Sequence, residues 1–428
     1  MSVKKYYLIG KNQLYPLCRS ITGKGIRDSL GIIKMNFPKL KIHKEKVGKN
    51  VFDWKIPEEW NIKFAFIKDK NNKTLVNFAD NNLHVIGYSK PINVNLNKNQ
   101  LLKKLHSLKN KPYAIPYITS YYKKNWGFCV TDKLKKYIIK NYKNKDKFKT
   151  IISSSFKKKG FLNFGEYYIK GKSKKEILIS TYLCHPSMAN NELSGPIVSM
   201  SLIDYFKKKK LLYSLRFIFI PETIGSITFL SKNLEYLKKN VIAGYNLTCI
   251  GDERNHGCMF TKYKNTISDK SLMEAYKSLK IKYREFSFNE NGSDERQYNS
   301  PGVDLPIASI FRSKYGTYPE YHTSLDNFKL VTLKGLTGGF KVAKRAIEIV
   351  INKIIPKHKI ICEPQMGRRG LYPTLSTIDN MKKSKKMMNF IQYSDGKNDL
   401  IEISRLINLS YKETVKIYFL LKKNKIIY

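Results

Sequence analysis

Ser180–Val198 reads STYLCHPSMANNELSGPIV, and its punctuation points to the fold class. The stretch begins inside an apolar run, EILISTYLC (Glu176–Cys184), whose length and bounding suit a buried strand. The run stops at His185-Pro186, a polar loop follows, and Ser194-Gly195 opens PIVSMSLIDYF (Pro196–Phe206), an apolar stretch of helical length. The same order recurs downstream. LRFIFI (Leu215–Ile220) precedes ITFLSKNLEYL (Ile227–Leu237), AGYNLTCIG (Ala243–Gly251) precedes SLMEAYKSL (Ser271–Leu279), and LPIASIF (Leu305–Phe311) precedes a helix expected from about Leu333 to Lys353. Such alternation predicts an open α/β sheet with helices on its faces, and such sheets bind ligands beyond the carboxyl ends of their strands.

Ionisable residues sit at those ends. His185 follows the first strand, Glu222 the second and Asp252 the third; the last part supplies Asp294, Glu295 and Arg296 in GSDERQY and then His322 and Asp326 in YHTSLDN. A hydrolytic zinc site needs neutral imidazole and carboxylate ligands, an open position for water, and a carboxylate that takes the water's proton. His185, Glu222, Asp252 and His322 offer those groups at separations of 37, 30 and 70 residues, so fold position rather than a local motif carries the reading.

Upstream, from about Val51 to Ile92, the segments VFDWKI, NIKFAFIKD and HVIGYS are separated by Pro, Asn and Asp and predict a compact β unit. Downstream, helical runs at Leu400–Ile407 and Tyr411–Leu421 are joined by NLS, with Ser410 as an N-cap, and end in an apolar tail suited to a wing. The expected organisation is a main domain from residues 1–45 and 115–360, an inserted β domain at 46–114 and a winged helix at 380–428.

The 428 residues carry a formal charge of +47. Lysine is spread through nearly every segment together with Asn, Ile and Tyr, which reads as a solvated surface rather than a nucleic-acid stripe. No apolar run approaches the ~20 residues that span a bilayer, and the N-terminus has no apolar h-region. The six cysteines lack C-x-x-C spacing and read as reduced, buried thiols. These features predict a soluble cytoplasmic protein with no dedicated nucleic-acid or membrane site; a homo-oligomer is compatible with them.

HPS…NNELSG, PETIGS and YHTSLD resemble the core motifs of the co-catalytic zinc aminopeptidases, the clan of bacterial leucyl aminopeptidase and glutamate carboxypeptidase. RSITGKGIRDSL, VFDWKIPEEWNI, NNLHVIGYS, RSKYGTYPEYHTS and CEPQMGRRGLYPT are similar, almost end to end, to an uncharacterised aminopeptidase-like family with an inserted β domain and a C-terminal winged helix. The resemblance implies an aminopeptidase-like (phosphorylase/hydrolase-like) three-layer α/β sandwich with those two additions. It implies His185 and His322 as the first and last zinc ligands and Glu222 as the general base, acting on a peptide or amide-containing small substrate. The clan's other carboxylates fall on Asn191, Thr223 and Thr248, with Asn191 at the bridging position, so a second ion lacks its usual ligands; Glu192 or Asp252 would supply replacement anions for one or two zinc ions. Glutaminyl cyclases of the same fold group work with a single zinc. Members of the closer family are associated with surface-polysaccharide biosynthesis, which implies an amide or amino-sugar conjugate as an alternative substrate.

Each of these residues also has a plain structural reading. Asp252 caps a turn as readily as it binds a metal, and Asp294 and Glu295 suit a structural charge network as well as a substrate-facing role. Arg312 and Tyr315, between a strand and His322, are placed to hold a substrate carboxylate, Arg312 bidentately. The C-terminal module reads as a docking unit or a DNA-binding one, and the whole chain as an enzyme or as a binding protein that kept the fold after losing metal ligands.

Overall fold

A computed structural model describes residues 2–123, 125–352, 354–372 and 378–428. Lys353, the expected end of the last helix, and Pro373 and Thr374 lie outside them. At the centre is the strand Ser173–Tyr182, in which Ile177, Leu178 and Ile179 are all fully buried. A strand buried on both faces belongs in the middle of a sheet, and parallel neighbours flank it: Tyr213–Ile220 on one side and Val241–Leu247 on the other, with Ile307–Phe311 beyond. Phe161–Ile169 and then Lys41–Lys46 extend one edge antiparallel. Gly257–Met259, antiparallel to Ile307–Phe311, and Arg284–Phe286 complete the eight strands.

The chain leaves Ser173–Tyr182 through the helix Ser194–Phe206 to reach Tyr213–Ile220, then returns through the helix Ile224–Asn240 to Val241–Leu247 on the opposite flank. Both crossovers join parallel strands, and such connections are right-handed, so reversing direction places the two helices on opposite faces of the sheet. The reversal also opens a crevice at the carboxyl end of Ser173–Tyr182, where the loop bearing His185 begins.

A second sheet has four antiparallel strands in the order Thr74–Asn77, Glu59–Lys68, Lys147–Lys157 and Ile92–Asn97. Its core of Ala65, Ile67, Val76, Phe148 and Ile152 is fed by the alternation of Lys147–Lys157, whose first half buries every second residue. This sheet draws on chain from both sides of residue 114.

The chain divides into two compact units, one of Met1–Lys264 and Tyr283–Lys341, the other of Asn265–Lys282 and Val342–Tyr428. In the second, the helix Tyr411–Lys423 has Ser410 at its N-cap, as the sequence predicts, and Glu413 completes a capping box. Leu400–Leu406 and Tyr411–Lys423 both pack on Ile267–Ser278, and the apolar tail returns to pair Ile427 with His358. Cys362, expected to be buried, is exposed; the other thiols are buried or half-buried, and no disulfide joins any of the six. No described helix is long and apolar enough to cross a membrane.

Candidate functional site

The site is assembled from strand ends. His185, 4% exposed, follows the central strand, and its Nδ1 lies 2.8 Å from Glu192 Oε2. Glu192 is fully buried in a one-turn π-helix, Ala189–Leu193, with Arg19 Nε 3.5 Å from its other oxygen. Arg19 also donates from Nε to the His185 carbonyl, at 2.9 Å, and from Nη1 to Leu14 O. Arg19, Glu192 and His185 thus form a buried chain that fixes the ring. Burial alone favours a neutral imidazole; Cys184 and the Glu192 carboxylate against Nδ1 reverse this and hold the His185 pKa well above its ordinary value.

The other ring nitrogen, Nε2, faces Glu222 Oε2 at 3.5 Å. Glu222 stands just past Tyr213–Ile220, with its side chain about a quarter exposed (24%), and its Oε1 accepts a hydrogen bond from Ser293 Oγ at 2.5 Å. Burial raises its pKa, Glu192 and Glu295 add to the rise, and His185 and Ser293 oppose it. His322 completes the group. Its ring stacks on Tyr321 with centroids 3.9 Å apart, meets Tyr117 edge-on at 5.1 Å, and lies 5.8 Å from the His185 ring. Burial and then repulsion from His185 push the His322 pKa down to about 3, so this imidazole is neutral at neutral pH.

Backbone strain gathers at the same loops. Ser187, Thr223, Cys249 and His322 all have positive φ, at 39°, 62°, 48° and 54°. For the β-branched Thr223 that conformation is a true outlier, and residues held this way persist where their surroundings over-determine them, most often at active sites and ligand clamps. The buried Asp326 carboxylate supplies some of that determination, accepting hydrogen bonds from the amides of Ala189, Asn190 and Asn191 and from Tyr318 Oη.

The remaining candidates are placed differently. Asp252 turns to Asn190 Nδ2, the Arg254 amide and both the amide and hydroxyl of Ser313, so its oxygens are engaged in bracing loops. Glu295 accepts from the amides of Gly292 and Ser293 and from Tyr315 Oη, which joins Tyr315 to the same brace. Asp294 is fully buried, with Oδ1 accepting from Thr223 N and Ser226 Oγ and Oδ2 without a partner among the described residues; burial and then Glu222 push its pKa up to about 8. Arg312 bonds His256 Nε2.

The donors decide what cation chemistry fits. Cys184, His185 and Glu192 gather their ligand atoms within 4.8 Å of one another. Yet Glu192 already occupies His185 Nδ1, and burial pushes the Cys184 thiol up to about 11, so it stays protonated at neutral pH. The face with suitable chemistry is His185 Nε2, the neutral His322 and Glu222. A two-ion arrangement does not fit: Asn191 Oδ1 accepts from Tyr182 Oη and its buried Nδ2 has no acceptor among the described residues, while Thr248 Oγ1 meets the same tyrosine hydroxyl. Neutral groups there do not balance four positive charges.

Sequence reasoning missed Arg19, Tyr117 and Ser293. One signal was present for Arg19: arginine supplies only 11 of the 80 basic residues, so each arginine marks a place where lysine does not serve. A cavity of about 420 Å³ lined by Tyr88, Tyr121, Tyr122 and Phe156 lies beside Tyr117, whose hydroxyl is 2.9 Å from that of Tyr121.

Residues 6–353 match the family described as domain of unknown function DUF4910, and residues 354–428 match a winged helix-turn-helix. A Clostridium acetobutylicum protein named for polysaccharide biosynthesis and an aminopeptidase-like domain is 39% identical over 406 residues, covering 94% of this chain and 91% of that protein. A crystal structure from the same organism, described as a peptidase, superposes with a TM-score of 0.90 at 37% identity, covering 100% of this chain and 97% of that one. The zinc aminopeptidase BSAP of Bacillus subtilis shares the fold, with a TM-score of 0.60 at 12% identity over 82% of this chain and 95% of that one.

Proposed function

The chain belongs to the DUF4910 family and carries a winged helix-turn-helix behind that domain; from this premise we propose that it is a metal-dependent amide hydrolase working with a single cation. The observation that carries the reading is the chain Arg19–Glu192–His185, which binds one ring nitrogen and presents the other beside Glu222. Metal-binding histidines are commonly oriented by a carboxylate on the far nitrogen. The aminopeptidase-like fold and the name of the Clostridium relative support a hydrolase ancestry.

His185 through Nε2 and His322 would hold the ion. A zinc ion held there would act as a Lewis acid toward a carbonyl and toward water. Glu222, partly exposed and raised in pKa, accepts the proton of the attacking water and returns it to the leaving amine. Ser293 steadies that carboxylate from Oε1.

The neutral Asn191, Thr223 and Thr248 favour a second reading, a binding protein without catalysis. Zinc stoichiometry separates the two when measured on protein purified without a metal-affinity tag, for the wild type, His185→Ala, His322→Ala and Glu222→Gln. The hydrolase reading expects about one zinc per chain, lost in both histidine variants. Glu222→Gln should keep the zinc and lose hydrolysis of an aminoacyl amide. A wild type that takes up no zinc at neutral pH leaves the binding protein.

A further inference from the structure

A small cavity of about 100 Å³ lies against the loop that precedes His322, and its lining includes Arg254, Arg284 and Arg312 together with Phe286, Ser313 and Tyr318. Three of the chain's 11 arginines meet here, and no lysine among the described residues lines the cavity. In a chain that uses lysine almost everywhere a positive charge is wanted, this inversion selects for what lysine lacks: a planar fork that binds oxyanions bidentately.

The three side chains are held in position by different means. Arg254 is clamped in a two-pronged pair with Glu320, at 2.7 and 2.8 Å. Arg312, 8% exposed, donates to His256 Nε2. Arg284 lies with its guanidinium 4.6 Å from the centre of the Phe286 ring and has no carboxylate partner among the described residues. Stacking of this kind leaves the edge of the fork open for hydrogen bonds. The cavity is also tied to the candidate site by two routes: Ser313 bonds Asp252, which holds Asn190, and Tyr318 bonds Asp326, which holds the turn carrying Asn191.

We infer that this cavity is an oxyanion-binding site that takes a phosphoryl group, either free phosphate or a phosphate carried on a small molecule. Its size admits one such group. The site does not depend on whether the neighbouring centre hydrolyses amides.

The test is thermal unfolding at constant ionic strength, with inorganic phosphate or glycerol phosphate titrated against chloride. The chloride reference removes the general response of a strongly cationic chain to any anion. The wild type should show saturable stabilisation by phosphate. Arg284→Lys and Arg312→Lys, which keep the charge and remove the fork, should weaken the apparent affinity at least fivefold, whereas an exposed control, Lys63→Gln, should not. Tighter binding of glycerol phosphate marks a carried phosphate, and equal or weaker binding marks the free ion. Reading the phosphate-dependent increment within each variant separates binding from any loss of intrinsic stability. Stabilisation equal to that by chloride, or retained in both Arg→Lys variants, overturns the inference.

Discussion

A histidine ligand needs one ring nitrogen without a proton, and which nitrogen that is depends on what the other one meets. In His185, Glu192 engages Nδ1, so Nε2 is the nitrogen that gives up its proton when a cation binds, and Arg19 lies 3.5 Å from the other Glu192 oxygen. Glu192→Ala should therefore weaken zinc retention about 10–100-fold, the usual cost of losing such a partner, in a chelator-competition assay; unchanged retention would remove the orienting role. Asp294 gives a second residue-scale expectation. Its pKa is raised, so the stability it contributes is fully present below the unfolded value of about 3.9 and is lost as pH rises toward about 8. In metal-free protein, the unfolding free energy from urea titrations should fall between pH 5 and 8, by on the order of 1 kcal/mol per pH unit from this group, and Asp294→Asn should flatten the slope. At this scale the positions of His185 and Glu222 just past strands were legible from the apolar runs that precede them, whereas His322, 11 residues beyond Ile307–Phe311, was legible only through the motif YHTSLD. The sequence hid Arg19 and Tyr117, which reach the site from segments distant in sequence, and it left Asp252 between ligand and brace until Ser313 and Asn190 appeared beside it.

At the scale of elements, the helix Ser194–Phe206 sits so close to the sheet that a Cβ on Gly195 would land on Thr181 Oγ1 and the Leu247 carbonyl oxygen. The glycine is what allows the helix to begin directly behind the His185 loop. Gly195→Ala should cost about 2–3 kcal/mol in chemical denaturation, in the range for overpacking, because one obstacle is backbone and cannot turn aside. A loss under 0.5 kcal/mol would show that the helix shifts easily. The alternation of strands and helices was legible here because each unit is local, a run of apolar residues followed by a helical stretch. The strand Lys147–Lys157 was not assigned to the four-stranded sheet from its sequence, since its partners Glu59–Lys68 and Ile92–Asn97 lie 50 or more residues upstream. Local periodicity identifies a strand without naming its neighbours.

For the whole molecule, the division of the chain matters more than its length. Ile267–Ser278 belongs to the same compact unit as the C-terminal helices, and buries Leu272, Ala275 and Tyr276. Its contact with Leu400–Leu406 and Tyr411–Lys423 is reinforced by Lys270 and Glu402, 3.0 Å apart. Ending the chain after residue 353 should expose those apolar side chains, and should lower the unfolding temperature and increase dye binding to apolar surface relative to the full chain. A truncated protein with an unchanged melting temperature would show that the helix stands without its partners. During synthesis the same arrangement sets an order of events. Ile267–Ser278 leaves the ribosome about 120 residues before Leu400–Leu406, which at ~5–20 residues per second is a wait of roughly 6–24 s. For that interval the nascent chain carries an unmated sticky face, and the last turn of translation is also the moment at which that liability ends.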